Sequence, residues 1–271
     1  MRLHVRHQTA YSYDSPIAAA IQTLRLTPRN FDGFRVVQWR VWSDRRRALP
    51  LFVDGYGNPT HCHAVNYPHA DATIFVEGEV ETSATHGVVR GAPEPLPPLF
   101  FLRSTPLTAP DPGLEALARQ VASQGSVLKQ LHALLHLVRD KVDYLHGATD
   151  VATTASEALA AGAGVCQDHA HIFVAAARLL GIPARYVGGY LWTGLESRDY
   201  QASHAWGEAF VHDLGWIGFD PSNRICPTEA YVRTSVGLDY WSAAPVRGVR
   251  RGVGAETLSV AVNVSQTGTD Q

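Results

Sequence analysis

Lysine is nearly absent from this chain: Lys129 and Lys141 are the only two among 23 basic residues in 271. That leaves few ε-amines for any chemistry that would couple one copy of the chain to another. Three cysteines, Cys62, Cys166 and Cys226, are too few for a disulfide framework in this length, which suits a reducing compartment and a working thiol. No stretch reaches the ~18 uninterrupted apolar residues of a membrane span. Met1 to His7 alternates polar and apolar residues and lacks the apolar run of a secretory leader, so the cytoplasm is the expected location. Neither charge sign dominates: a net charge of -2 and a pI near 6.7 exclude a general nucleic-acid or anionic-membrane partner. Internal repeats and low-complexity tracts are also missing.

What is present is a chain long enough for two domains, with an ordinary 45% hydrophobic fraction. Residues 1 to about 90 read as short alternating strands. Their turns fall at Asp14-Ser15-Pro16, Asp32-Gly33, Asp54-Gly55-Tyr56-Gly57-Asn58 and Tyr67-Pro68, a pattern that predicts a β-sandwich or barrel-like unit. Residues 91–112 hold seven prolines and are expected to form an extended linker, stapled to the domains by Leu96, Leu99, Phe100, Phe101 and Leu102. Helices are predicted over Gly113 to Ser123, Ser126 to Val142 and Ser156 to Ala160, with a further helical turn near Thr228 to Val232. Residues 246–271 would supply a C-terminal strand (Glu256 to Val264) that returns to the N-terminal sheet, then a disordered tail from Ser265. The fold class is α+β, with residues 113–245 as its second domain.

The chemistry concentrates at Gly164-Val165-Cys166-Gln167-Asp168-His169-Ala170-His171, where a small-residue loop runs into a helix. Ala170, Phe173, Val174, Ala177 and Leu180 recur at spacings of three and four, and Gly181 and Pro183 are stop signals, so the helix spans Val165 to Leu180. Cys166 then occupies its first turn, where unpaired N–H groups and the helix dipole favour thiolate, the reactive form. The Cys166 backbone N–H is one donor for an oxyanion at the same end.

Ser203 to His212 and Trp216 to Phe219 read as strands joined by the turn His212-Asp213-Leu214-Gly215. In such a hairpin His204 and Asp220 lie roughly opposite, and an Asp beside a His fixes its tautomer and stabilises the imidazolium. Taken singly these residues are ordinary. A lone cysteine is most often a small core hydrophobe, the expectation for Cys62 and Cys226; His204 alone would be a hydrogen-bonded core histidine, and Asp220 before Pro221 a turn-former. Their conjunction points to a Cys-His-Asp nucleophilic site.

Gly164-Val165-Cys166-Gln167-Asp168, Ser203-His204-Ala205-Trp206 and Asp220-Pro221-Ser222-Asn223 resemble the core motifs of the transglutaminase-like superfamily. Gly181 to Tyr190 resembles the helix-to-strand link of its bacterial members. Leu3 to Asp14, Leu24 to Arg29 and Asp54 to Asn58 resemble the β-rich region that precedes their core. The resemblance implies a papain-like core with an antiparallel sheet packed on a central helix. It implies Cys166 as nucleophile, His204 as general base and acid, Asp220 orienting the His, and acyl transfer through a thioester. No metal or organic cofactor is implied, and the partner would be a peptide or protein carrying a carboxamide or amide bond.

Hydrolysis is expected over amine transfer, because the small bacterial relatives lack the extra domains of cross-linking enzymes. A transglutaminase and a non-catalytic peptide-binding module of the same fold are the alternatives. Tyr144 is the candidate second oxyanion donor, with packing at a helix end as its other reading. Gln167 and Asp168 are expected at the pocket entrance, or else as a solvated first helical turn, and Trp206 near the substrate. Among the 13 histidines, His169 and His171 point in different directions on a helix. His61 and His63 would share a strand face around Cys62, but no third ligand is evident, and a structural role is favoured there over a metal.

Overall fold

In the computed structural model residues 1–194 and 203–267 are described. The chain opens with strands β1 (Arg2–Ile17), β2 (Ala19–Leu24), β3 (Phe34–Ser43), β4 (Leu51–Val53), β5 (Pro59–Val65), β6 (His69–Thr82) and β7 (Val88–Val89). Helices α1 (Pro112–Val121) and α2 (Val127–Lys141) follow, then β8 (Asp143–Tyr144), α3 (Ala155–Ala161), β9 (Ala163–Gly164) and α4 (Cys166–Leu179). Next come β10 (Ala184–Leu191), β11 (Ser203–Val211), β12 (Gly215–Phe219), β13 (Tyr231–Gly237), α5 (Tyr240–Ala243), β14 (Val246–Arg251) and β15 (Glu256–Gln266).

Period-two burial sets the N-terminal architecture. Leu3, Val5, Tyr11 and Tyr13 of β1, with Ala72, Ile74, Val76 and Val80 of β6, face inward while their neighbours face out. The sheet ordered β15-β1-β6-β3 lays that face over a second sheet ordered β14-β2-β5-β4. Tyr11, Ile17, Leu24, Leu26, Ile74 and Val76 fill the space between them, a β-sandwich.

The second half is built on α4, whose residues from Asp168 to Arg178 are all buried. Helices α1, α2 and α3 pack on it, and so do β10 and β11 of the antiparallel sheet β13-β10-β11-β12-β7. The helix lies very close to β11: a Cβ at Gly207 would stand 2.5 Å from Phe173 Cδ1, so glycine is needed at that crossing. Sandwich and core are joined through Leu3, Val5, Phe34 and Val80 against Tyr190 and Val232. Asn58 adds a two-way bond to the Val236 backbone (2.8 and 2.9 Å).

Several sequence expectations are corrected. Thr228 to Val232 is not helical; β13 starts at Tyr231, and burial on nearly every side chain removes the alternation that marks a strand. β7 lies before residue 90 yet pairs with β12 of the core sheet. The 91–112 segment is not extended throughout. It holds 3₁₀ turns at Pro98–Leu102 and Pro106–Thr108, and Phe101 is buried while Leu99 is 71% exposed. Glu94 grips the fully buried Arg185 at 2.6 and 3.0 Å, and buried Arg178 donates to the Phe101 carbonyl and Thr108 Oγ1. Strand β14 was not expected, and Ser265 and Gln266 belong to β15 rather than to a tail; residues 268–271 of that expected tail lie outside the described residues. Among the described residues no helix is long and apolar enough to cross a membrane.

Candidate active site

The first turn of α4 presents Cys166, preceded by Val165 in extended backbone. Asp168 closes that turn from beneath: its Oδ2 accepts the Val165 N–H (2.7 Å) and the Thr149 hydroxyl (2.6 Å). A Cβ on Gly164 would fall 2.7 Å from the same oxygen, so the approach needs glycine. Upstream, β8 and β9 pair in parallel with Tyr144 beside Gly164, and the Leu145 N–H bonds the Gly164 carbonyl at 2.8 Å. That short ladder carries Tyr144 to the helix N-terminus, beside Cys166. Burial, then the charge of Cys166, pushes the phenol above its ordinary range, so Tyr144 stays protonated as a donor.

His204 comes from β11 and Asp220 from the end of β12, which stops before Pro221. His204 Nε2 lies 2.6 Å from Asp220 Oδ2, which leaves Nδ1 as the nitrogen for the neighbouring thiol. Asp220 is fully buried, and the same Oδ2 accepts from Tyr231 Oη (2.7 Å) and Asn223 Nδ2 (2.7 Å). Burial works against both charges. For His204 the Asp220 carboxylate and its hydrogen bond outweigh that penalty, with Cys166 adding to them, and raise the pKa to about 10. For Asp220 burial is likewise outweighed, by His204 and by the Tyr231 and Asn223 donors, and the carboxyl lies below its usual value. The arrangement holds a protonated imidazole beside Cys166, with its charge balanced by Asp220.

The structure therefore brings Cys166, His204, Asp220 and Tyr144 together. It does not bring Asp168 to the pocket entrance, nor leave it solvated: Asp168 is fully buried and braces the turn that carries Cys166, because Thr149 covers it from a loop 19 residues earlier. Gln167 is half-buried and reaches the Val151 carbonyl at 3.4 Å. Trp206 is 2% exposed and lies beneath the imidazole, ring centroids 6.2 Å apart and planes 26° apart, as a floor rather than a substrate-facing wall.

Tyr231 and Asn223 were not assigned roles from sequence. Asn223 carried a signal, sitting three residues after Asp220 where an Asx-type turn folds its amide back; Tyr231 carried none. His169 bonds Ser222 Oγ (2.8 Å) and the Val142 carbonyl (3.1 Å), tying α4 to the Asp220 loop. His171 Nε2 accepts the Tyr240 N–H at 3.0 Å. Burial lowers both pKa values to about 4. His63 bonds Gln22 Oε1 at 2.9 Å, and among the described residues no group of three His, Cys, Asp or Glu side chains could hold a metal ion. Cys62 and Cys226 are unpaired and half-buried.

The family model of the transglutaminase-like superfamily matches residues 115–221, and that of the bacterial transglutaminase-like N-terminal region matches residues 3–81. The chain belongs to the transglutaminase-like superfamily. An uncharacterized protein of Mycobacterium leprae is 31% identical over 277 residues, covering 98% of this chain and 99% of its own. Another, from Mycobacterium bovis, is 30% identical over 273 residues, covering 92% and 87%. The fold is that of a crystal structure from Cytophaga hutchinsonii, provisionally named a cysteine protease. It has a TM-score of 0.81 at 20% identity, over 100% of this chain and 92% of that one.

Proposed function

We propose that the protein is a cysteine-dependent hydrolase of amide bonds in peptides or proteins. The observation that carries the reading is the 2.6 Å His204–Asp220 bond beside Cys166 in the first turn of α4. His204 takes the thiol proton, and the Cys166 thiolate attacks the carbonyl carbon. The Cys166 N–H and Tyr144 hydroxyl receive the oxyanion. Collapse breaks the C–N bond, the amine leaves with the proton from His204, and an acyl thioester stays on Cys166. Water, deprotonated by His204, then attacks the thioester; the acid leaves and the thiol recovers its proton. The site supplies each proton transfer from its own side chains. A working thiol agrees with a reducing, cytoplasmic setting.

Capture of the thioester by an amine instead of water would make the protein a transglutaminase. The two lysines of the chain give little scope for self-coupling, and hydrolysis is the reading preferred here. Iodoacetamide alkylation from pH 4 to 9, read per cysteine by mass spectrometry, tests the nucleophile: Cys166 should label fast below pH ~7 and lose that advantage in His204→Ala. Labelling that follows an ordinary thiol near pKa ~8.5 would favour a binding module. Supplying a labelled primary amine with a glutamine peptide decides the acceptor, and amine incorporation in excess of hydrolysis would overturn the preference for water.

A further inference from the structure

A groove of about 830 Å³ runs between the N-terminal sandwich and the core, within the size range of ligand sites. Its core wall is α5. Tyr240 lines it and packs, together with Cys166, against the patch of Ala170, Tyr186, Ala205 and Ala243. Val151, which also lines it, offers its carbonyl to Gln167, the residue after the nucleophile. Two residues of the groove, Tyr240 and Val151, are thus each one contact removed from the first turn of α4. Its far wall is sandwich: Tyr11 and Tyr13 from β1, and Arg247 and Arg250 from β14.

The groove carries two arginines, Arg247 and Arg250, and two carboxylates, Asp239 and Glu256, and these differ in how each is engaged. Glu256 is paired with Arg250 (3.5 Å). Asp239 is buried, its carboxylate committed to capping α5 through the Ser242 N–H (2.9 Å) and hydroxyl (2.8 Å). Arg247 has no carboxylate partner among the described residues; one of its nitrogens donates to the Trp241 carbonyl at 3.1 Å, and the side chain is exposed. Trp241, itself 39% exposed, stands against Tyr240 with ring centroids 5.6 Å apart. An open guanidinium beside an aromatic shelf matches an extended peptide carrying a carboxylate, which the planar fork can receive through two N–H groups.

We propose that this groove is the peptide subsite of the Cys166 centre and that Arg247 selects substrates with an acidic side chain near the scissile amide. The assignment rests on the hydrolase reading and gives the sandwich a direct share in specificity: β14 would be a substrate-reading strand rather than only a brace.

The test uses short peptides carrying a chloroacetamide at either end, identical except for Glu, Gln or Lys at the two positions beside it. The Cys166 thiolate displaces chloride to form a thioether, and its rate is read by mass spectrometry on the full chain. In wild type the Glu peptide should label Cys166 several-fold faster than the Gln peptide. The preference should vanish in Arg247→Gln and pass to the Lys peptide in Arg247→Glu, while plain iodoacetamide reacts equally with all three proteins. Equal rates for the Glu and Gln peptides in wild type, or a Glu preference that survives both substitutions, would overturn the subsite. Slow, His204-independent reaction with plain iodoacetamide would instead remove the nucleophile reading, and the subsite with it.

Discussion

His204 and Asp220 meet diagonally across their hairpin. The ladder pairs Gly207 with Phe219, so one further step sets Asp220 opposite Trp206, two residues from His204. The 2.6 Å contact is made across that diagonal, with the Trp206 ring filling the space beneath the imidazole. Asp220 must therefore be aimed, and Tyr231 and Asn223 aim it by donating to the same carboxylate oxygen.

Replacing Asp220 by Asn keeps the shape and removes the charge that holds the His204 proton on Nε2. Turnover should fall by a factor on the order of 10²–10⁴. Cys166 alkylation at pH 6 should slow as well. Unchanged alkylation would show that the imidazole needs no carboxylate to hold its proton.

The same pair gives stability a pH dependence. His204 has a folded pKa of about 10, above its ordinary 6.5, so its contribution is complete below pH 6.5 and is lost as pH rises towards 10. Asp220 acts in the opposite sense: its carboxyl is depressed, so its contribution is present above the ordinary carboxylate value and lost as acid reaches the lower folded pKa. Melting temperatures measured from pH 6 to 10 should decline in wild type and flatten in Asp220→Asn. Parallel curves would mean that another group governs alkaline stability.

Tyr144→Phe removes the hydroxyl alone from a side chain that is 37% exposed, so folding should be unaffected. As the loss of one oxyanion donor it should lower kcat on the order of 10²-fold with KM nearly constant. A change confined to KM would make Tyr144 a substrate contact instead.

Glu208, Arg185, Arg233 and Glu94 form a buried charge cluster that fastens the proline-rich strap to the core. Burial opposes the Glu208 charge, but Arg233 and Arg185 outweigh it and lower its pKa to about 2. Arg185→Met leaves Glu208 with one partner and should cost about 3–5 kcal/mol in urea unfolding. Glu94 is partly exposed, and Glu94→Gln should cost less, about 1–2 kcal/mol. Equal costs would mean that the strap, not the buried Glu208, sets the energy of the cluster.

The site was legible where its chemistry is local. Cys166 stands at a loop-to-helix junction marked by Gly164, and His204 and Asp220 flank a short turn, so a few residues of context place each of them. Tyr144 was reachable only through the family resemblance, which implies an upstream aromatic or polar side chain near Cys166; nothing local reveals the parallel pairing of β8 with β9. Asp168 misled because an acid at the third helical position usually meets water; Thr149, 19 residues earlier, buries it. Tyr231 was hidden because β13 is buried on both faces and lacks a period-two pattern. β14 reads Val246-Arg247-Gly248-Val249-Arg250-Arg251, a composition that local patterning assigns to a loop, and only its ladder with β2 makes it a strand.

The pairings of β15 with β1 and of β14 with β2 bring together residues more than 200 positions apart. During synthesis β1 and β2 leave the ribosome early and must wait for the whole core before their neighbours arrive. In that interval the first-made half exposes two unpaired sheet edges, while the core, closed largely by contacts within its own stretch, can already be folding. The last-made strands then close one edge of each sheet of the first-made half, and the groove, whose lining includes β14 and β15 residues, is complete only when they dock.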